Sequence, residues 1–217
     1  MIYPEFNRKD HIIEPRYIDK MFPRIGAIDP AISGTTGALK AMIDEDGNIT
    51  IYDEYYQPNK RVSEVVPEIK EDGVKWVIDP ASAAKNVQRE GKLYSLYNEY
   101  FDYGIHADPA ENDVSAGINR VAEYFKQNKI KIFSTCKNLI NEIEHYHWSE
   151  ERETITGIMQ PKPFKNMDHL VDCLRYIIMS RPLNARIIIE PKVEKGSVAD
   201  FMRQDEMRAK DWKAKYS

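Results

Sequence analysis

The acidic residues that could do chemistry in this chain follow two short apolar segments. Residues 28–31 and 78–81 both have the sequence Ile-Asp-Pro-Ala, so Asp29 and Asp79 each end an apolar run and precede a proline. Functional groups of open α/β sheets lie where strands end. If the two strands are neighbours, the carboxylates converge and repel each other unless a cation lies between them. Oxygen ligands select hard divalent ions such as Mg²⁺ or Mn²⁺.

A second pair of acids lies in a late segment with helical periodicity. Asp168 and Asp172 are four residues apart, which puts both on one helix face. The main apolar stripe of the predicted helix 166–180 lies opposite Asp172, and a second stripe continues from Asp172 to Tyr176 and Met179. A helix with apolar residues on two sides is covered on two sides. We therefore expect Asp172 to be partly buried and to need a partner.

Each of these acids also has a purely structural interpretation. An aspartate at the end of a strand commonly forms a turn or caps a helix. Asp168, near the start of a helix, interacts favourably with the helix dipole whether or not a metal is bound. The repeated Ile-Asp-Pro-Ala, together with a partly enclosed acid pair, favours a joint site over separate capping roles.

The elements that must position these acids alternate between strand and helix after an antiparallel opening. Asp46-Gly47 is typical of a hairpin turn. Apolar alternation and helical spacing predict the following elements in chain order: strands 24–29, 37–43 and 48–56, helix 62–73, strand 74–79, a long helix 82–103, strand 105–107, helix 114–128, strand 130–133, helix 139–147, a hairpin or loop 150–157, and helix 166–180. This order predicts an α/β fold with a mixed sheet, three antiparallel strands and then parallel strands, flanked by helices.

Length and composition are those of one domain with polar ends. The 217 residues include 13 Tyr, 7 Phe and 3 Trp, too many aromatic residues for a disordered chain. No apolar run approaches the roughly 20 residues of a membrane helix. The two cysteines give no disulfide framework, which favours a reducing cytoplasm. We expect a linker at 1–22, a folded domain at 23–182 and a charged, partly disordered tail at 183–217.

Basic residues close to the acids are candidates for contact with nucleic acid. The formal net charge is −4, so any such contact requires a local basic patch. Lys85 and Arg89 are four residues apart in the predicted helix 82–103, and Lys162 and Lys165 lie in a proline-rich segment before the last helix. All four could bind phosphates. A solvated surface explains their positions equally well.

Several segments, taken together and in order, resemble the nuclease domain of the large terminase subunit of tailed phages, which has an RNase H-like fold. The last helix resembles the family's DH-x-x-DALRY helix, and Gly-Ile-Asn-Arg-Val resembles its GI-x-RV helix. Tyr-Pro-Glu-Phe is similar to the segment that joins the ATPase motor to the nuclease. The matching segments are 3–6, 24–31, 76–81, 117–121 and 168–176.

The resemblance implies a metal-dependent endonuclease that cuts concatemeric viral double-stranded DNA during genome packaging. It implies catalysis by Asp29, Asp79, Asp172 and His169, with two divalent cations, Mg²⁺ or Mn²⁺, held by the three aspartates, and Asp168 as an additional ligand. The implied partners are DNA, the ATPase motor domain, the small terminase subunit and the portal. The implied location is the host cytoplasm, with no membrane association.

Other interpretations remain open at the level of sequence. The chain could be another RNase H-like nuclease, such as a junction resolvase, or a catalytically weak domain that docks DNA or the portal. Residues 29–37 also resemble the first phosphate loop of actin-like ATPases and sugar kinases. That fold requires a second glycine-rich phosphate loop, which the sequence does not contain.

Overall fold

Strands and helices alternate along the chain after an antiparallel opening. The computed structural model describes residues 1–84, 86–89, 92–152, 159–164 and 167–181. The predicted tail, 183–217, lies outside these ranges. The elements are α1 (Arg8–His11), β1 (Ile12–Ile13), β2 (Arg24–Asp29), β3 (Thr35–Ile43), β4 (Ile49–Pro58), α2 (Val62–Ile69), β5 (Val74–Ile78), a 3₁₀ helix (Pro80–Ala83), β6 (Asn86–Arg89), β7 (Lys92–Ser95), α3 (Leu96–Asp102), β8 (Ala107–Pro109), α4 (Val114–Lys126), β9 (Ile130–Phe133), α5 (Lys137–His145), β10 (Trp148–Arg152), β11 (Met159–Pro163) and α6 (His169–Ser180).

A seven-stranded mixed sheet forms the centre of the domain. Its strand order is β1-β9-β4-β3-β2-β5-β8. Strands β2, β3 and β4 are antiparallel neighbours, as the hairpin pattern predicts. Strands β5 and β8 add in parallel on one side of them, and β9 and β1 on the other. The predicted α/β fold with an RNase H-like mixed sheet, three antiparallel strands and then parallel strands, is confirmed.

Both faces of the sheet are buried. In β2, Ile25 and Ala27 belong to a core cluster that includes apolar residues of α4, α5 and α6. The alternate residue Ile28 belongs to a second cluster with apolar residues of α2 and α3. Because successive side chains of a strand point to opposite faces, helices cover the sheet on both sides, and α6 packs directly on β2 and β3.

The N-terminal segment, expected to be a linker, contributes to the core. Ile2 and Tyr3 are buried, and the amide of Ile2 donates to the carbonyl of Tyr146 at 2.7 Å. Strand β1 extends the sheet by pairing in parallel with β9. No helix within the described ranges is long and apolar enough to cross a membrane.

The prediction of one long helix over 82–103 is wrong. The segment contains the 3₁₀ helix, the antiparallel hairpin of β6 and β7, and the short helix α3. The two strands have the sequences Asn-Val-Gln-Arg and Lys-Leu-Tyr-Ser, and a glycine lies between them. Val and Tyr are enriched in strands, and glycine is a poor residue for a helix interior. Ser95 then caps α3 by accepting from the amide of Asn98.

Two prolines of the proline-rich segment, Pro161 and Pro163, lie in strand β11, which pairs with β10. The amide of Phe164 donates to the carbonyl of His147 at 3.0 Å. Amides that face β10 alternate with amides that face away from it, so Pro161 and Pro163 occupy the outward positions. An edge strand tolerates proline there because no hydrogen bond to the partner strand is lost. Residues 150–152 of the predicted hairpin or loop lie in β10, and the rest of that segment lies outside the described residues.

Candidate functional site

The predicted acids meet at one cavity of about 270 Å³, at the ends of β2 and β5 and the start of α6. Pairing of Ile28 with Ile78 makes β2 and β5 parallel neighbours, so the residues that follow emerge at the same edge of the sheet. Helix α6 places its first turn over that edge. The cavity is lined by Asp29, Asp79, Ala81, Asn112, Val114, Asp168, His169, Asp172, Arg175 and Tyr176.

Asp29 is held by a histidine of α6. His169 Nδ1 donates to Asp29 Oδ2 at 2.7 Å, and this hydrogen bond raises the pKa of His169 above its ordinary value despite partial burial. The helix can approach because Gly37, the β3 partner of Asp29, has no side chain. A Cβ atom at Gly37 would lie 3.1 Å from His169 Cβ. The sequence places His169 at the site but does not reveal its bond to Asp29.

Asp79 combines the structural and the functional interpretations. Its amide donates to the carbonyl of Ile28 at 3.0 Å, which ties the end of β5 to β2. Its Oδ1 accepts from the amide of Ala81 at 3.0 Å and so caps the 3₁₀ helix. The carboxylate is buried and also lines the cavity. Capping fixes its orientation and does not remove it from the site.

Asp172 has the buried partner that its position on α6 predicts. Arg175 Nη2 donates to Asp172 Oδ1 at 2.9 Å and Nε donates to the same oxygen at 3.3 Å. Burial raises the pKa of Asp172, the Arg175 charge opposes that rise, and the charges of Asp168 and Asp29 add to it. Arg175 Nη1 donates to Asn112 Oδ1 at 2.8 Å. The guanidinium therefore joins α6 to the loop before α4.

A glycine in α4 leaves the space that Arg175 occupies. A Cβ atom at Gly117 would lie 2.4 Å from Arg175 Cγ, closer than real Cβ atoms approach. The predicted 117–121 motif and the last helix are therefore physically coupled, because the absence of a side chain on α4 admits the arginine that holds Asp172.

Glu142 of α5 is a site residue that the sequence analysis missed. It is 1% exposed, and its Oε2 accepts from the amides of Leu170 at 2.7 Å and Val171 at 3.0 Å. Burial raises its pKa to about 7. A signal was present, since Leu139, Glu142, Ile143 and Tyr146 lie at spacings of three, one and three and place a carboxylate on the apolar stripe of α5.

The donors around the cavity suit a hard divalent cation. Four aspartates line it, and the like charges that raise the pKa of Asp172 are those that a cation would neutralise. The volume also leaves room for water ligands. In their present positions no three His, Cys, Asp or Glu side chains of the described residues are grouped closely enough to hold a metal ion. Metal binding would therefore require the carboxylates to approach one another more closely than in this structure.

Lys162, the predicted DNA-binding residue whose side chain the structure describes, does not line the cavity. Lys85 and Lys165 lie outside the described residues. Arg89 belongs to strand β6, so the proposed helix face through Lys85 and Arg89 does not exist. Lys162 is exposed on β11, a strand where the sequence suggested a loop.

Known proteins share this fold. Over 190 residues the chain is 25% identical to the large terminase subunit of Escherichia phage T5, covering 82% of this chain and 41% of that protein. The large terminase nuclease domain of P22 superposes with a TM-score of 0.68 at 19% identity, covering 86% of this chain and 94% of that one. The large terminase nuclease of thermophilic phage G20c, solved with bound magnesium, gives a TM-score of 0.53 at 14% identity, covering 83% and 96%.

The similarity in sequence extends over most of the folded domain. The model of the terminase RNaseH-like domain family matches residues 26–181, which run from within β2 to the end of α6 and include every predicted acid. The P22 and G20c structures show the fold, and the family model shows the relationship. The chain therefore belongs to the terminase RNaseH-like domain family.

Proposed function

We propose that this chain is a metal-dependent DNA endonuclease that cuts concatemeric viral double-stranded DNA during genome packaging. The observation that carries the proposal is the convergence of Asp29, Asp79 and Asp172 on one cavity at the ends of two parallel strands. Membership of the terminase RNaseH-like domain family supports a nuclease. The acid-lined cavity supports hydrolysis that depends on bound cations.

Asp29, Asp79 and Asp172 are the proposed ligands of two divalent cations, Mg²⁺ or Mn²⁺, with Asp168 as an additional ligand. When bound, such a pair of ions would supply activation of a water molecule for in-line attack on the scissile phosphate and stabilisation of the leaving 3′ oxygen. The bound magnesium of the G20c nuclease supports a divalent cation in this fold.

The remaining cavity residues orient the acids and transfer protons. His169 holds Asp29 through Nδ1, which fixes the ring at the cavity and leaves it placed to orient a water or exchange a proton. Arg175 holds one oxygen of Asp172 and turns the carboxylate toward the cavity. Both contacts reduce the freedom of the ligands before the substrate arrives.

A packaging nuclease that cuts DNA without regard to sequence needs contacts only to the DNA backbone. Lys162, Lys85, Arg89 and Lys165 are the proposed phosphate contacts, and such contacts carry no direct sequence information.

The chain spans 41% of the T5 large subunit. We propose that it works with an ATPase motor domain, a small terminase subunit and the portal in the host cytoplasm.

The experiment is a plasmid-nicking assay in millimolar Mn²⁺ or Mg²⁺, with EDTA and the variants Asp29→Asn and Asp79→Asn as negative controls. Asp46→Asn is the matched control, because it makes the same chemical change in an exposed turn where asparagine before glycine is equally favoured. We expect nicking and linearisation by the wild type and by Asp46→Asn, and none with EDTA or either site variant.

Failure to cut together with failure to bind Mn²⁺ would overturn the proposal and leave a docking domain. Cutting of a four-way junction in strong preference to linear duplex would favour the junction resolvase. A third outcome is that the wild type binds Mn²⁺ and Asp29→Asn does not, but neither cuts DNA. This result would support the proposed metal site and indicate that cutting requires the motor or another partner.

A further inference from the structure

The helix that carries two site residues is capped by a residue from another helix. Asp168 is the N-cap residue of α6, and in the described structure it makes no side-chain hydrogen bond to the helix amides. The first amides of a helix have no partner within it. Those of Leu170 and Val171 donate instead to Glu142 Oε2 of α5. The start of α6 is thereby fixed to α5 through one carboxylate.

The position of this contact links it to the cavity. Leu170 and Val171 lie between His169 and Asp172, within the same helical turn. Any shift of that turn moves His169 away from Asp29, with which it makes a 2.7 Å hydrogen bond. It also moves Asp172 relative to the strand-end acids. Glu142 itself does not line the cavity, so its hydrogen-bond contact with the site runs through the amides of α6.

The surroundings of Glu142 make the contact rigid. The residue is 1% exposed and packs beside buried Leu139 and Ile143 of its own helix. A buried carboxyl group costs free energy unless hydrogen bonds satisfy it. Its two bonds to backbone amides satisfy Oε2 and hold the carboxyl group in one orientation.

We propose that Glu142 is a positioning residue of the nuclease site, which holds the first turn of α6 so that His169 reaches Asp29 and Asp172 faces the cavity. The inference rests on the proposed function for its effect on cleavage. The effect on the geometry of His169 does not depend on that function.

The test compares Glu142→Ala, Glu142→Asp and Glu142→Gln. Alanine removes the acceptor, aspartate withdraws it by one methylene group, and glutamine keeps an oxygen for both amides. At saturating Mn²⁺ and DNA we expect Glu142→Ala to lower the cleavage rate about 10- to 100-fold, since small misplacements of catalytic groups have effects of this size. We expect Glu142→Gln to stay within about threefold of the wild type, and Glu142→Asp to lie between them.

The matched control for loss of stability is Ile140→Ala, which removes a buried side chain of α5 that makes no hydrogen bond to α6. A second readout does not require cleavage. In ¹⁵N spectra of the histidine rings, the Nδ1 signal of His169 reports its hydrogen bond to Asp29. We expect that signal to shift in Glu142→Ala and to stay unchanged in Glu142→Gln and Ile140→Ala.

Two results would overturn the positioning role. One is a Glu142→Ala protein with the wild-type His169 signal and cleavage rate. The other is equal loss of cleavage in Glu142→Ala, Glu142→Gln and Ile140→Ala, which indicates general destabilisation. If Glu142→Ala does not fold, Glu142→Asp decides through the same two readouts. A wild type that neither cuts DNA nor binds Mn²⁺ would refute the proposed function alone, because the histidine spectra still test the geometry.

Discussion

The chemistry of single residues at this site depends on their buried partners. Arg175 is 2% exposed at its side chain and satisfies both Asp172 and Asn112. Breaking such a pair by removing one partner leaves an uncompensated charge, which costs more than the pair itself contributes. Asp172, which is proposed to bind metal, is therefore also part of a buried ion pair that contributes to folding.

Replacing Arg175 by methionine should destabilise the protein by about 3–5 kcal/mol, because Asp172 loses its buried counter-charge. The free energy of unfolding from urea denaturation measures this change. Arg8→Met is the control: Arg8 also pairs with a carboxylate, Glu144, but its side chain is 63% exposed, and we expect little change there. Equal stability of the two variants would refute the role given to the buried pair.

Glu142 should make stability depend on pH. Burial raises its pKa from 4.5 to about 7, so between these values the folded protein holds a proton that the unfolded chain has lost. The contribution of Glu142 to the free energy of unfolding is fully present below pH 4.5. It declines as pH rises toward about 7. The decline has a limiting slope of about 1.4 kcal/mol per pH unit.

Glu142→Gln removes this titration while it keeps the side-chain shape. Chemical denaturation from pH 4 to 8 should therefore give a wild-type free energy of unfolding that falls relative to that of Glu142→Gln across this range. Parallel curves for the two proteins would show that the buried carboxyl group does not titrate in this range.

At the scale of elements, the geometry of the site depends on how closely α6 approaches the strands and the helix that it packs on. Helix α6 packs on β2, β3 and α4, and it comes near enough only where glycines leave space, at Gly37 of β3 and Gly117 of α4. Helical periodicity predicts that α4 and α6 exist and which faces are apolar. It does not predict that a methyl group between them would collide with a buried arginine.

Gly117→Ala tests this packing. Alanine normally stabilises a helix interior relative to glycine by roughly 1 kcal/mol. Here we expect a loss of about 1–3 kcal/mol, because overpacking forces buried Arg175 to move. The exposed Ser115→Ala in the same helix should be neutral or slightly stabilising. An increase in thermal stability of Gly117→Ala would contradict the predicted clash.

At the scale of the whole molecule, the N-terminal segment completes the domain. Tyr3 lies against Phe125 and Tyr146, with ring centroids 5.7 and 5.8 Å apart. The segment therefore packs against the end of α4 and the residue that follows α5. Residues that precede the family match at 26–181 are consequently part of the folded core.

Tyr3→Ala should lower the free energy of unfolding by about 3–5 kcal/mol, as expected when a large aromatic side chain is removed from a core. Tyr17→Ala is the matched control, because Tyr17 is 81% exposed whereas Tyr3 is fully buried, and we expect little change. Similar urea midpoints for the two variants would show that the N-terminal segment is dispensable for stability.

The sequence by itself determined the sheet, most helices and the position of the acids. Alternation and helical spacing act between residues close in the chain, so β2 to β5, α4 and α6 follow from local patterns. The repeated Ile-Asp-Pro-Ala placed Asp29 and Asp79 at strand ends, and the pairing of β2 with β5 made those ends neighbours. The same reasoning failed at 82–103, where short segments with mixed spacing suit either a helix or a hairpin.

Only the tertiary structure decided which groups hold the acids in place. Asn112 lies 63 residues before Arg175, and Glu142 lies 28 and 29 residues before the amides that it caps. No local pattern relates residues that far apart, because their contact depends on how the helices pack. Packing also requires buried polar groups to find partners, which is why a carboxylate on the apolar stripe of α5 ends at the start of α6.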